Sequence, residues 1–304
     1  MTAGSGIAEI TRYQHAAGHD SRLQPVVALL QSFRQRRVLL DKRVYESLRQ
    51  IKAEAVAAND QDVAGAVWCL EEIAKAQDGY LRAWRLMLED HFYAAWCALE
   101  QCELAIHFLA RHFDDASDDY GIEYLRTHIP RWQSLFPYRM FLSPGFTKRS
   151  VSCSVCGQRL TPRRPCAHRL GHLYDGEMCC HRSEDVNMIE ISLVTNPVQK
   201  YSVAFTKERK YNYAAVHYVV SGLLSPWHAW EPQWTTLRRP DPSYIGVGRN
   251  DACPCNSGSK FKKCHMADPT FEAPHVDIAF FDGKAANLPL ERFNEPHYGI
   301  DDMG

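Results

Sequence analysis

The sequence predicts an α+β fold: an N-terminal antiparallel helical bundle or helical-hairpin domain, a middle segment with a cysteine knuckle and short strands, and a small C-terminal cysteine–histidine module. Three observations predict it. Apolar residues recur at helical spacing over the first third of the chain, eight of the 11 cysteines fall into two clusters, and β-branched runs begin only after residue 186. The expected divisions are 1–135 for the helical domain, 136–235 for the knuckle and strands, 236–247 for a linker, 248–267 for the C-terminal module and 268–304 for an acidic, loosely ordered tail.

Leu23, Val27, Leu30, Leu40, Val44, Leu48 and Ile51 fall on one face and predict a long helix over about 22–56, interrupted around 35–37. Asn59-Asp60 marks a break. A second helical region over about 62–112 carries Val67, Leu70, Ile73, Tyr80, Trp84, Trp96, Leu99 and Ile106, with a division expected at Asp78-Gly79. Residues 92–113 have a tetratricopeptide-like spacing of Ala, Trp and Leu, without a sustained repeat period. An acidic loop follows at 114–119, then a short helix before Pro137. Residues 188–194 and 200–206 are rich in β-branched and aromatic side chains and read as strands separated by Asn196-Pro197. Residues 212–224 fit a strand or a short helix. Trp227, Trp230 and Trp234 belong either to a partner-gripping surface or to a packed linker.

The segment 248–265 places Cys253-x-Cys255 eight residues before Cys264-His265. Asn256, Ser257, Gly258 and Ser259 let the chain reverse between the pairs, since short polar residues and Gly tolerate turn dihedrals. Three sulfurs and one imidazole suit a closed tetrahedral Zn²⁺ site, structural rather than catalytic because no ligand position is left open. So few apolar side chains accompany it that metal binding and folding should be one event.

Gly248-Arg249-Asn250-Asp251, Cys253-Pro254-Cys255, Ser257-Gly258, Lys260-Phe261-Lys262-Lys263 and Cys264-His265 together closely resemble the SEC-C motif, a zinc-binding module at the C-terminus of the bacterial preprotein translocase motor and of many other bacterial proteins. Ala252, Asn256 and Ser259 depart from the family's usual Pro, Gly and Lys; none removes a ligand, and the last weakens the positive face. In the translocase the module contacts a chaperone and the ribosome. The resemblance therefore implies zinc and a protein partner, not a reaction.

The middle cluster, 150–181, opens on Cys153-x2-Cys156-Gly157, a knuckle in which the Gly frees the turn that aims backbone N–H groups at sulfur. Cys166 and His168 complete a Cys3His set. Cys179, Cys180, His172 and His181 are surplus candidates, with Cys179 the first replacement for His168. Two zinc ions per chain are expected. CxxC and CxC pairs read as metal sites rather than disulfides. Leu135-Phe136-Pro137-Tyr138, the CSVCG knuckle, Cys166-x-His168-Arg169-x-Gly171, Tyr174-Asp175-Gly176-Glu177-Met178-Cys179 and the run from Asn196 to Val203 are also similar to a bacterial family that carries a C-terminal SEC-C module. That likeness implies no activity.

The formal net charge of -1 gives no global drive toward nucleic acid. Locally the balance is uneven: Lys148, Arg149, Arg159, Arg163, Arg164 and Arg169 face no acidic residue between 147 and 171, whereas 268–304 holds eight acids against two bases. No apolar run is long enough for a membrane span, and the N-terminus lacks an export pattern, so a cytoplasmic setting is expected. No phosphate loop, dinucleotide fingerprint or zincin helix is present. Glu100, Glu103 and His107 share a helical face, but a di-iron carboxylate bundle needs a different spacing, and a charged bundle surface explains them. No catalytic residue is assigned. The expected function is non-catalytic zinc binding with recognition of a protein through the SEC-C and helical domains. The alternative is nucleic-acid binding through the arginines of 148–169, aided by Lys260, Lys262 and Lys263.

Overall fold

The computed structural model describes residues 3–205, 211–281 and 292–294. The fold is α+β, and the chain divides into two compact units: Met1–Lys207 with Ser225–Trp227, and Glu208–Leu224 with His228–Gly304. The helices before residue 136 and the first cysteine cluster share the first unit, and the second cluster lies in the other.

The first unit opens with α1 (Ala3–His19), α2 (Gln24–Gln31) and α3 (Lys42–Ala57). The interruption expected around 35–37 is a full break, so residues 22–56 form two helices rather than one. After α2 comes a single 3₁₀ turn at Phe33–Gln35, then extended chain, and Asp41 caps α3 by accepting from Arg43 N at 2.9 Å. Asp60 caps α4 (Gln61–Leu88) in the same way through Val63 N. The expected division at Asp78-Gly79 is absent, and α4 runs through both residues. Asp78 is held by Arg36, the Leu40 N–H and the Tyr45 hydroxyl, while Gly79 is the point of close approach to α5 (Phe92–Leu109): a Cβ there would lie 2.6 Å from Cys102 Sγ. A packing glycine, not a breaking one, accounts for that position. The chain turns instead at Asp90, whose φ is 58°.

The acidic loop has a local task. Asp115 accepts from Tyr120 N and Ile122 N, and Asp118 from Glu123 N and Tyr124 N, satisfying the free N–H groups that open α6 (Ile122–Leu135). Leu30, Phe33, Leu48, Leu70, Ile73 and Trp132 are buried between these helices. Trp227 joins them, donating to Arg36 O at 2.9 Å and meeting Phe33 edge-on, so it is a packing residue.

The rest of the first unit is a long antiparallel ribbon, β1 (Phe141–Cys153) with β4 (His181–Val194), and between them the short hairpin β2 (Leu173–Tyr174) and β3 (Glu177–Met178). The strand expected over 188–194 is the far end of β4. The one expected over 200–206 is not formed among its described residues, which turn and contribute an isolated bridge, Val203 to Phe141; Thr206 lies outside them.

In the second unit residues 214–222 take the helical option as α7 (Ala214–Gly222), and β5 (Trp230–Pro240), β6 (Thr270–Phe280) and β7 (Arg292–Asn294) form an antiparallel sheet in that order. Val216, Val219, Trp230, Val276 and Ile278 are among the buried apolar residues of this unit. The expected linker and tail are corrected here. Residues 236–240 complete β5, and 270–280 are strand paired along the whole of it, from Trp230↔Phe280 to Pro240↔Thr270. Residues 282–291 and 295–304 of the tail lie outside the described residues.

Candidate metal centres

At the first centre, β1 delivers Cys153 at its last residue, and the turn beyond it brings round Cys156. Ligand atoms of Cys153, Cys156, Cys166 and His168 all lie within 4.8 Å of one another. A tetrahedron with bonds of about 2.3 Å has edges of about 3.8 Å, so four such donors close on one ion with little movement. Gly157 takes φ +69°, the left-handed conformation that the knuckle requires. The backbone N–H groups of Cys156 and Val155 donate to Cys153 and pull its thiol down to about 6, preparing the thiolate that a metal needs. Nδ1 of His168 is buried without a hydrogen-bond partner, as expected of a nitrogen reserved for a metal.

The surplus candidates separate by position. Cys179 is buried, with Sγ 3.8 Å from Cys153 Sγ, yet stands outside the set of four. Burial and the neighbouring Cys153 push its thiol up to about 11. Cys180 is exposed and its backbone exchanges hydrogen bonds with Ser154, while His181 pairs with Cys153 across the ribbon; neither they nor His172 joins the cluster.

This centre is fastened to the helices. Lys52 on α3 reaches Glu71 at 2.7 Å and Glu177 on β3 at 2.9 Å, and Gln61 and Asp175 bond each other reciprocally at 2.6 and 2.9 Å. His112 Nε2 donates to Gly171 O at 2.8 Å.

At the second centre β5 and β6 carry the module at their shared tip, where Asp241 N donates to Pro269 O. Ligand atoms of Cys253, Cys255, Cys264 and His265 also lie within 4.8 Å of one another, with Cys255 Sγ to Cys264 Sγ at 3.5 Å and Cys253 Sγ to His265 Nδ1 at 3.3 Å. The Ser257 hydroxyl and backbone N–H donate to Cys255 and lower its thiol to about 6. Asp251 accepts from Gly248 N at 2.8 Å, which tightens the turn before the first ligand. Asn256, where the SEC-C family usually has Gly, sits at φ +60°, a conformation that Asn tolerates best among non-glycine residues. Sequence reasoning missed Tyr244, whose ring stacks on His265 with centroids 5.0 Å apart. No spacing rule ties an aromatic to a ligand 21 positions later.

The remaining candidates are structural. Glu100 accepts from the N–H groups of Lys200 and Tyr201, and Glu103 holds the Lys200 ammonium with Gln133. Elsewhere on α4, Glu71 and Glu72, which are not part of that set, pair with Lys52 and Lys75. None of the 11 cysteines is in a disulfide, and burial raises the thiols of Cys69 and Cys102. No helix among the described residues is long and apolar enough to cross a membrane.

Fold and sites define an α+β protein with two Cys3His clusters, consistent with two zinc sites. The second cluster belongs to a SEC-C motif: the family model of that name matches residues 249–267. Over 35 residues, 12% of this chain, the sequence is 54% identical to the protein translocase subunit SecA of Nocardioides sp. (strain ATCC BAA-499 / JS614), of which the match covers 4%. The likeness is confined to that short stretch. No solved structure matches the chain.

Proposed function

We propose that this zinc-binding protein is non-catalytic and recognises another protein through the SEC-C module and the helices, in a cytoplasmic setting where its thiols stay reduced. The observation that carries the reading is the second centre itself. All four donors come from the chain, so the ion has no open position for substrate, and the module sits at the tip of a hairpin with Lys260, Lys262 and Lys263 exposed. Such a tip is a rigid, metal-set surface carrying positive charge, suited to an acidic face of a protein. The test is affinity purification of zinc-loaded protein from source cells, beside a variant with Lys260, Lys262 and Lys263 all changed to Glu. A stoichiometric protein partner that the variant loses, with zinc content unchanged, supports the reading. Equal recovery by both, or no partner, removes it.

One observation favours nucleic acid instead. Arg159, Arg163, Arg164 and Arg169 are exposed beside the first centre, and among the described residues none pairs with a carboxylate. Under this reading affinity for a nucleic-acid duplex or single strand falls steeply with salt, and Ala at these arginines weakens all sequences alike. Salt-insensitive binding, or none, dismisses it.

A further inference from the structure

The ribbon of β1 and β4 has an exposed apolar face that its register creates. Cross-strand partners share a face, and residues alternate along each strand. Val186 pairs with Lys148 and Met188 with Phe146, placing Val186, Met188 and Phe146 together. Beyond them the register shifts: Gly145 pairs with Glu190, so Ile189 is an extra residue on β4. Without that bulge Ile191 and Leu193, at odd positions, would fall on the opposite face. With it they pair with Pro144 and Leu142 and join the same face as Val186 and Met188. The bulge thus gathers six large apolar side chains on one side: Leu142, Phe146, Val186, Met188, Ile191 and Leu193.

All six are exposed, Met188 by 60%, Ile191 by 55% and Leu193 by 63%. Together they leave on the order of 600 Å² of apolar surface open to water, at the upper end of what a monomer tolerates. Over the same stretch the opposite face carries Ser143, Gly145, Thr147, Asn187, Glu190 and Ser192, with the apolar pair Phe141 and Val194 only at its end, so the asymmetry is not that of a generally apolar ribbon. A two-stranded ribbon alone in water is marginal and needs a covering layer.

We propose that a second copy of this chain covers that face, the two ribbons stacking apolar face to apolar face about a two-fold axis. The area argues for it: a standard interface buries about 800 Å² per partner, and this strip supplies most of that with apolar atoms alone. Charge permits it. Arg182 and Glu184 lie toward the zinc end, carry opposite signs, and fall beyond the partner's strip when the strips cross antiparallel; Lys148, opposite Val186, sits at the margin of the strip. A nucleic acid is a poor occupant, because phosphates would leave these side chains wet. Strand-to-strand addition is also disfavoured: the bulge at Ile189 and the left-handed Asp185, at φ 49°, both break the outer edge of β4. This assembly is independent of what the SEC-C module binds, and its test does not involve the module.

Light scattering across a micromolar dilution series of the zinc-loaded chain tests it. The expected result is a mass approaching twice 34.8 kDa at the concentrated end. The double variant Ile191→Lys, Leu193→Lys should dissociate at least about tenfold more readily, whereas Ser192→Lys on the opposite face should leave the mass unchanged. All variants are checked for an unaltered zinc ratio. Hydrogen exchange on the wild type, which needs no variant to fold, should show residues 141–147 and 186–194 gaining protection as concentration rises. A wild-type chain monomeric throughout overturns the proposal, as does a dimer indifferent to the lysines with its protection elsewhere. A monomer with these residues protected at every dilution also overturns it, and assigns the cover to the chain's own residues.

Discussion

At the scale of single residues, His128 shows how burial writes a pH dependence into the helical part. Its ring stacks on Tyr124 with centroids 3.8 Å apart, and its Nδ1 donates to Tyr124 O at 2.9 Å. Burial drives its pKa from 6.5 to about 4, because the charged imidazolium is disfavoured there. The unfolded chain takes up this proton between about pH 6.5 and 4 while the folded chain does not, so stability falls as pH drops through that window. At about pH 5 the loss is about 2 kcal/mol. Denaturant midpoints at about pH 7 and pH 5 should therefore differ more for the wild type than for His128→Gln; acid release of zinc is common to both and cancels. Equal pH sensitivity would falsify this assignment. The ligand thiols were legible in the sequence because their spacing is local. The burial of His128 was not, since nothing in its neighbours distinguishes a stacked histidine from an exposed one.

At the scale of elements, partners distant in sequence reassigned what local signals suggested. Asp78-Gly79 looks like a stop, yet Arg36, Leu40 and Tyr45 engage the carboxylate, and α5 needs the missing Cβ. The strand over 188–194 was legible from its β-branched residues; its register and bulge were not, because both depend on β1, some 40 positions earlier. Lys52 links α3, α4 and the β2–β3 hairpin at once. Burial works to lower its pKa, but the hydrogen bonds of Glu71 and Glu177 prevail and raise it, so the ammonium is retained. Lys52→Ala leaves Glu71 partly buried without its cation, and we expect a loss of about 1–2 kcal/mol. The first cluster should also give up zinc to a competing chelator sooner than in the wild type, with the second unaffected. Chelator titration followed by metal analysis reads both, and identical release curves would refute the clamp.

At the scale of the whole molecule, the two centres serve different units, so their removal should have different consequences. Native protein should hold two zinc ions, and Cys153→Ser and Cys255→Ser should each lose one while keeping the other. Cys153→Ser should also lower the melting of the helices, since hairpin β2–β3 is bonded to α3 and α4. Cys255→Ser should leave that melting in place and loosen only the tip of β5–β6. Elemental analysis with thermal unfolding separates these outcomes; one ion in the wild type would contradict them. By itself the sequence determined the α+β class, both Cys3His sets and the SEC-C character of 248–265, because those rest on turns and ligands within a few residues of each other. The tertiary structure decided that Cys179 stands beside the first centre, that α4 is unbroken, that 270–280 is strand, and that a bulge gathers an apolar face on the ribbon. Each of those depends on contacts between residues far apart in the chain, where burial and pairing override local preference.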